Sequence, residues 1–240
     1  MSDPRTSTIS DKLKNINRII AISSGKGGVG KSLIATTLAL ALAKKGCKVG
    51  LFDLDFTSPT THIILGAHNQ RPKEDKGLIP PTINGLQYMS LTYYTTDQPA
   101  PLRGQDTSNA LIELLCVTVW NKLDYLIIDM PPGIGDAVLD LIRLIKKIEF
   151  LIVTTDSRLA FETVKKLTTL LQELRVPIMG IVENMKMNKK EDIKLQAEKL
   201  SLFYLAQIAF DPKVEEAIGK PEKLQRTSIG KQAKKIASNL

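Results

Sequence analysis

The chain of 240 residues is 43% hydrophobic and carries 33 Lys plus Arg against 25 Asp plus Glu, a formal net charge of +8; an α/β domain of this size buries about three quarters of its unfolded surface and needs neither disulfides nor metal to hold its core. Its two cysteines, Cys47 and Cys116, form no C-x-x-C, which excludes a disulfide scaffold and any sequence-local zinc or iron-sulfur site and points to a reducing, cytoplasmic compartment. The opening MSDPRTSTISDKLKN has acids and no apolar stretch, and no later run approaches the roughly 18 apolar residues of a membrane span, so neither a signal peptide nor a transmembrane helix is expected.

Residues 1–16 read as a flexible N-terminal segment of one domain spanning residues 1–240. Runs rich in Ile, Leu and Val then recur at 18–23, 48–53, 86–91, 124–129, 149–154, 177–183 and 204–209. Apolar on both faces, they have the pattern of buried parallel strands. Segments of helical length stand between most of them, at 30–45, 106–121, 159–175 and 191–200. The alternation predicts an α/β fold: a doubly wound, mostly parallel sheet flanked by helices. The stretch 67–82, with Pro72, Pro80 and Pro81 and little periodicity, reads as a surface excursion. Near the end, Ile229, Ala233, Ile236 and Leu240 form a thin stripe at helical spacing beside Lys231, Lys234 and Lys235, expected to be the last helix of the fold, packed on the sheet. Charge is uneven: residues 1–20 contribute +2, residues 184–240 contribute +5, and the long middle only +1. A basic end is either the solvated face of ordinary helices or a surface for an anionic partner.

The strongest chemical signal is SSGKGGVGKS at 23–32, in which Gly25, Gly30, Lys31 and Ser32 satisfy G-x-x-x-x-G-K-[ST]. It follows the strand IIAIS directly and opens a helix, the setting that phosphate binding requires. The backbone of Gly27, Gly28, Val29 and Gly30 can turn successive N–H groups onto phosphates at the positive end of that helix. Lys31 supplies a point charge, and the Ser32 hydroxyl suits Mg²⁺. Asp53 and Asp55, in LFDLDFTSPT, lie at the end of the second strand, where ligands of open α/β sheets gather. Either carboxylate can orient a water there; strand-end geometry favours Asp55, with Asp53 as a buried structural partner. Asp129 ends the strand LDYLIID before a Pro-Pro-Gly turn, the arrangement in which a carboxylate holds Mg²⁺ through its water shell. The turn 131–136 would then move when the γ-phosphate leaves. Asn184, ending PIMGIVEN, can donate to and accept from an adenine edge or simply form the turn.

Lys26 is a second lysine in the phosphate loop. From the start of a tight turn it has little room to curl onto its own phosphates, whereas it can reach a nucleotide held by a facing subunit. With this deviant Walker A motif the sequence resembles the MinD and Mrp superfamily of dimerising P-loop ATPases, the SIMIBI class. The nearest likeness is to Mrp proteins, through SGKGGVGKS, the Leu-Arg-Gly at 102–104, the stretch 120–133, VTT at 153–155 and GIVENM at 180–185. The resemblance implies ATP or ADP with Mg²⁺, an ATP-dependent homodimer in which Lys26 acts in trans, and Asp55 as the carboxylate that holds the hydrolytic water. It also places an adenine contact at Asn184 and a second base-contacting turn at 209–212, which includes Asp211 and Pro212. ATP is expected over GTP because a guanine site would usually show an N-K-x-D or T-K-x-D motif, and the sequence is read as having none.

Mrp-type iron-sulfur carriers usually have a C-x-x-C soon after the ENM segment, by which two subunits share a cluster; here that stretch reads KMNKKEDIK. Cys47 and Cys116 read as ordinary structural thiols. A reduced Mrp-like chain of this kind resembles the ATPase that serves nickel insertion in hydrogenase maturation, and that resemblance together with elimination implies metallocentre maturation, with nickel insertion into hydrogenase and a HypA-like metallochaperone partner preferred. An iron-sulfur carrier or assembly ATPase without its own C-x-x-C is the alternative. A MinD- or ParA-like positioning role on membrane or DNA is disfavoured, because the C-terminal stripe is thin and lacks Phe or Trp. His62 and His68 could contribute to a metal site or simply pack, and the loop 186–190 could contact a client or simply be solvated.

Overall fold

The computed structural model describes residues 5–67, 70–95, 105–187 and 192–240. The Leu-Arg-Gly at 102–104, His68 and residues 188–190 of the lysine-rich loop lie outside these. In chain order the first half comprises α1 (Arg5–Leu13), β1 (Ile16–Ser24), α2 (Lys31–Lys44), β2 (Val49–Asp53), α3 (Thr61–Leu65), β3 (Lys73–Glu74), β4 (Leu78–Ile79), β5 (Thr82–Ile83), β6 (Leu86–Ser90) and α4 (Thr92–Thr95). The second half comprises α5 (Gln105–Val117), β7 (Leu123–Asp129), α6 (Asp136–Leu144), β8 (Ile148–Thr154), α7 (Arg158–Glu173), β9 (Ile178–Lys186), α8 (Ile193–Lys199), β10 (Tyr204–Ala209), α9 (Lys213–Ala217), α10 (Pro221–Leu224) and α11 (Ser228–Ser238).

Eight strands form one sheet in the order β10-β9-β8-β1-β7-β2-β6-β5, parallel except for the antiparallel β5. The apolar runs become strands because helices cover both faces of the sheet. One core packs α1, α5, α6, α7 and α8 against it through Phe52, Ile128, Phe150 and Phe161. The other packs α2, α3, α9, α10 and α11 through Ile20, Leu51, Ile127 and Val153. Ile34 to Leu42 of α2 are buried all round, which explains an apolar helix with almost no polar face. The predicted last helix is α11, and Ile229, Ala233 and Ile236 lie inside the second core.

Three boundaries differ from the sequence reading, each for a local reason. The N-terminal segment expected to be flexible contains α1, whose Ile9 and Leu13, four residues apart, are 0% and 3% exposed in the first core. Two apolar side chains in nine residues are a weak signal, yet both find the groove beside α5 and α6. Helix α5 stops at Val117 rather than residue 121 because Val119 N–H donates to the Leu78 carbonyl and Thr118 bridges to Leu78. That contact also gives the excursion 67–82 structure, as the β3–β4 hairpin. Helix α8 begins at Ile193 because the Asp192 carboxylate accepts from Leu195 N–H at 3.0 Å, an N-cap. Among the described residues no helix is long and apolar enough to cross a membrane.

If α1 is part of the core, Ile9→Ala lowers unfolding free energy by about 2–5 kcal/mol, as core truncations do. Urea denaturation followed by circular dichroism measures this; a change within error would show a detached segment.

Candidate functional site

Strand β1 lies between β7 and β8, and β2 pairs β7 on its other side. The registers Ile22↔Asp129 and Asp53↔Asp129 bring the ends of β1, β2 and β7 level. The loop between β1 and α2 crosses this edge. Gly30, at φ 81 and ψ 24, directly precedes the helix in a left-handed conformation; a Cβ there would lie 2.3 Å from Asn184 Nδ2. A Cβ on Gly25 would meet Thr163 Oγ1 of α7 at 2.2 Å. These two glycines are therefore set by close approach as well as by phosphate geometry. Ser24 Oγ donates to the Lys26 carbonyl at 2.9 Å, and Asn184 Nδ2 donates to the Val29 carbonyl at 2.9 Å. The loop is thus tied at both ends.

Lys31 points back into the sheet edge. Its Nζ lies 2.6 Å from Asp129 Oδ1, 3.7 Å from Asp55 Oδ2 and 3.5 Å from Ser32 Oγ. Burial raises the Asp129 carboxyl above its usual range, and the Lys31 ammonium offsets only part of that rise. Asp129 Oδ2 is buried with no hydrogen-bond partner among the described residues. Asp55 lines the cleft in front of the loop, with Oδ1 accepting from Thr57 Oγ1 at 2.8 Å and Ser58 N–H at 3.2 Å. Asp53 does not line that cleft. Its carboxylate accepts from Thr61 Oγ1 at 2.5 Å and from the amides of Thr61 and Asp55. Tyr88 OH lies 2.9 Å from the Thr61 hydroxyl, which it serves as donor because that hydroxyl donates to Asp53. Burial first, then the neighbouring Asp129 charge, push the Asp53 carboxyl up to about 7. Thr61 and Tyr88 were not among the sequence candidates, since nothing in their spacing links them to Asp53.

The cleft, of about 500 Å³, is lined by residues 26–33, Asp55, Ser58, Thr60 and Pro132. Gly133 N–H donates to the Ser24 carbonyl at 2.9 Å and Met130 N–H to Ile22, stitching the turn after β7 to the phosphate loop. Leu33 also lines a second pocket with Asn184, Met185, Phe210, Asp211 and Pro212. The two predicted base segments therefore meet beside the loop. The Asp211 carboxylate, however, accepts from Ser228 N–H at 2.9 Å and Lys213 N–H at 3.1 Å, which hold it low; it braces the pocket wall. An N-K-x-D tetrad is in fact present at 121–124, contrary to the sequence reading. It lies at the start of β7, the opposite end from Asp129, and Asp124 there accepts from Lys48 N–H at 2.8 Å. It cannot read a base at this site.

Lys26 is exposed on the loop, in no ion pair among the described residues. Cys47 and Cys116 are partly buried against opposite cores, on different faces of the sheet. No group of three or more His, Cys, Asp or Glu placed to hold a metal is found among the described residues. Among the described residues His62 belongs to no such group, and His68 lies outside them. Mg²⁺ in a phosphate site does not need such a cage, because water and phosphate supply most of its ligands. The unpartnered Asp129 Oδ2 beside Ser32 fits it.

The ParA family model, described as NUBPL iron-transfer P-loop NTPase, matches residues 15–240. The chain belongs to this P-loop NTPase family. An iron-sulfur cluster carrier protein of Methanocaldococcus jannaschii is 36% identical over 251 residues, covering 97% of this chain and 87% of that protein. One from Escherichia coli (strain K12) is 45% identical over 176 residues, covering 72% of this chain. The chain spans about half the length of that bacterial relative, 48%. A nucleotide-binding protein from Archaeoglobus fulgidus, solved in complex with ADP, superposes with a TM-score of 0.79 at 29% identity, over 92% of this chain and 93% of that one. The cell division ATPase MinD of Pyrococcus furiosus shares the fold, with a TM-score of 0.68 at 24% identity over 92% and 97% of the two chains. The resemblance to the Mrp and MinD group therefore holds. Nickel insertion into hydrogenase, preferred from the sequence, is overturned: the relatives are named iron-sulfur cluster carriers, and the HypA-like partner loses its support with it. The elimination failed because a missing C-x-x-C excludes only a cluster held by this motif, not service to cluster carriage.

Two outcomes follow for this P-loop NTPase. Gly30→Ala, strained at positive φ and against Asn184, costs about 1–3 kcal/mol of stability and weakens ADP binding, measured by calorimetry; unchanged affinity would remove the proposed constraint. Because the Asp53 carboxyl is raised to about 7 from its ordinary 3.8, folded protein binds the extra proton in that window. Its contribution to stability is present below about pH 4 and lost as pH rises through 7. In Asp53→Asn that fall disappears from a urea-denaturation series over this range.

Proposed function

We propose that the chain is a Mg²⁺-dependent ATPase whose nucleotide-driven dimerisation serves iron-sulfur cluster carriage, with cluster thiolates supplied by its partners rather than by a C-x-x-C of its own. The observation that carries the nucleotide chemistry is Lys31 held between Asp129 and Asp55 at the mouth of the phosphate loop. The cargo rests on identity to iron-sulfur carriers along almost the whole chain.

Entering phosphates compete with Asp129 for Lys31. With the ammonium on phosphate oxygens, Asp129 is freed of its lysine, and Asp129 and Ser32 would hold Mg²⁺, which would supply neutralisation of the phosphate charge. Asp55, kept in place by Thr57 and Ser58, orients the attacking water. The amides of 27–30 cradle the phosphates, Asn184 holds the loop through Val29, and the base lies in the pocket of Phe210 and Pro212. Lys26, exposed and unpaired with any described carboxylate, reaches the nucleotide of a facing protomer. The turn 131–136, stitched to Ser24, changes position when phosphate departs. Shifting such an equilibrium from mostly open to mostly closed takes about 5.5 kcal/mol of differential affinity, which two lysines and a metal ion on one γ-phosphate can supply. Turnover is slow until a partner engages the closed form.

Lys31→Ala is expected to lose ADP binding in calorimetry. Lys26→Ala should bind ADP normally but neither dimerise with ATP, by light scattering, nor turn over; normal hydrolysis by it refutes the trans role. For the cargo, anaerobic transfer of a cluster from a loaded carrier to an apo-acceptor is followed by absorbance. Wild type with Mg-ATP accelerates transfer and Lys31→Ala does not. No acceleration over buffer refutes the iron-sulfur reading while leaving the ATPase intact.

A further inference from the structure

The nucleotide site does not use the positive charge concentrated after residue 184, and folding gathers six of those cations in one place. Beside β10, helices α9, α10 and α11 enclose an open groove of about 1130 Å³ lined by six cations: Lys213, Lys223, Arg226, Lys231, Lys234 and Lys235. Asp211 and Glu216 are the acids in its lining, and Asp211 is committed to the amides of Ser228 and Lys213. None of the six cations is in an ion pair among the described residues. Lys234 only donates to the neutral Gln225 carbonyl, at 3.0 Å. Six like charges around one concavity repel each other, and an anionic occupant relieves that repulsion while the walls concentrate the field.

We infer that this groove docks an acidic, extended segment of a client protein. Its volume slightly exceeds the roughly 300–1,000 Å³ of small-ligand pockets and suits a length of chain. Among the described residues strand β10 is the edge of the sheet, with β9 as its one paired neighbour, and its Gln207 and Ala209 belong to the groove lining. Main-chain groups of an edge strand are what an extended peptide pairs with. Single-stranded nucleic acid is less suited, because no aromatic ring among the described residues lines the groove for base stacking. A lipid surface is less suited still: Ile229, Ala233, Ile236 and Ala237, the apolar side chains of α11, are between 0% and 6% exposed, leaving no face to insert. Ala209, Asp211 and Ser228 line both the groove and the base pocket, so the occupant sits directly beside bound nucleotide.

The test is fluorescence anisotropy on the full chain with a labelled Asp/Glu-rich peptide of about ten residues, roughly 33 Å when extended. An Asn/Gln version of the same peptide, duplex DNA and anionic phosphatidylglycerol vesicles serve as comparisons. The acidic peptide is expected to bind, weaken with salt, and lose about tenfold or more in affinity in Lys231→Glu/Lys235→Glu, with no change in Lys166→Glu on α7. Circular dichroism melting checks that the exposed substitutions leave the fold intact. Equal binding of the Asn/Gln peptide, no effect of the double reversal, or tighter binding of DNA or vesicles than of the acidic peptide would each overturn the inference. The reading does not depend on cargo, since the experiment contains neither nucleotide nor cluster.

Discussion

The buried ammonium of Lys31 is the interaction on which the rest of the site depends. A lysine 6% exposed is costly unless its charge is matched, and Asp129 at 2.6 Å with Asp55 at 3.7 Å match it. Those carboxylates are in reach only because β2 and β7 pair in a register that ends both strands level with the phosphate loop. The same pairing commits the site to exchange: a phosphate must offer Lys31 at least what Asp129 offers, and Asp129 must then find another cation. Phosphate, lysine and carboxylate are thereby coupled by charge balance.

The three aspartates of this edge illustrate how surroundings divide labour among identical side chains. Asp53 is enclosed by Thr61, the Asp55 amide and the Asp129 charge, so its carboxyl is held near 7 and its oxygens face the interior. Asp55, two residues on, is beyond the strand end and opens to the cleft. Asp129 shares the burial of Asp53 but has the lysine. One is enclosed, one opens to the cleft and one holds the lysine, although a carboxylate at a strand tip looks the same in all three cases.

The missing C-x-x-C and the basic C-terminus address the same question of partners. The two thiols lie against opposite cores of the sheet, so one protomer cannot bring both to one cluster, and the proposed carriage would draw on thiolates of its partners. The six-cation groove beside the base pocket is where a partner with the opposite charge finds least competition. Charge that looked like solvated helix in the sequence becomes one surface once α9, α10 and α11 fold against β10.

Local pattern carried much of the result. All seven apolar runs became strands of the main sheet, and glycine spacing before Lys31 identified the phosphate loop, because burial periodicity and loop chemistry are written in adjacent residues. The helix α1 and the Thr61–Tyr88 support of Asp53 were not legible, since each depends on which distant element lies alongside; Asn-Lys-Leu-Asp at the start of β7 was legible and was overlooked. The sequence by itself determined a parallel α/β fold with a lysine-bearing phosphate loop, because those signals are short-range. Which aspartate meets Lys31, that Asn184 grips Val29, and that scattered lysines share a groove were decided only by the tertiary structure. Strand register and helix packing set those distances, and neither is encoded within any one segment.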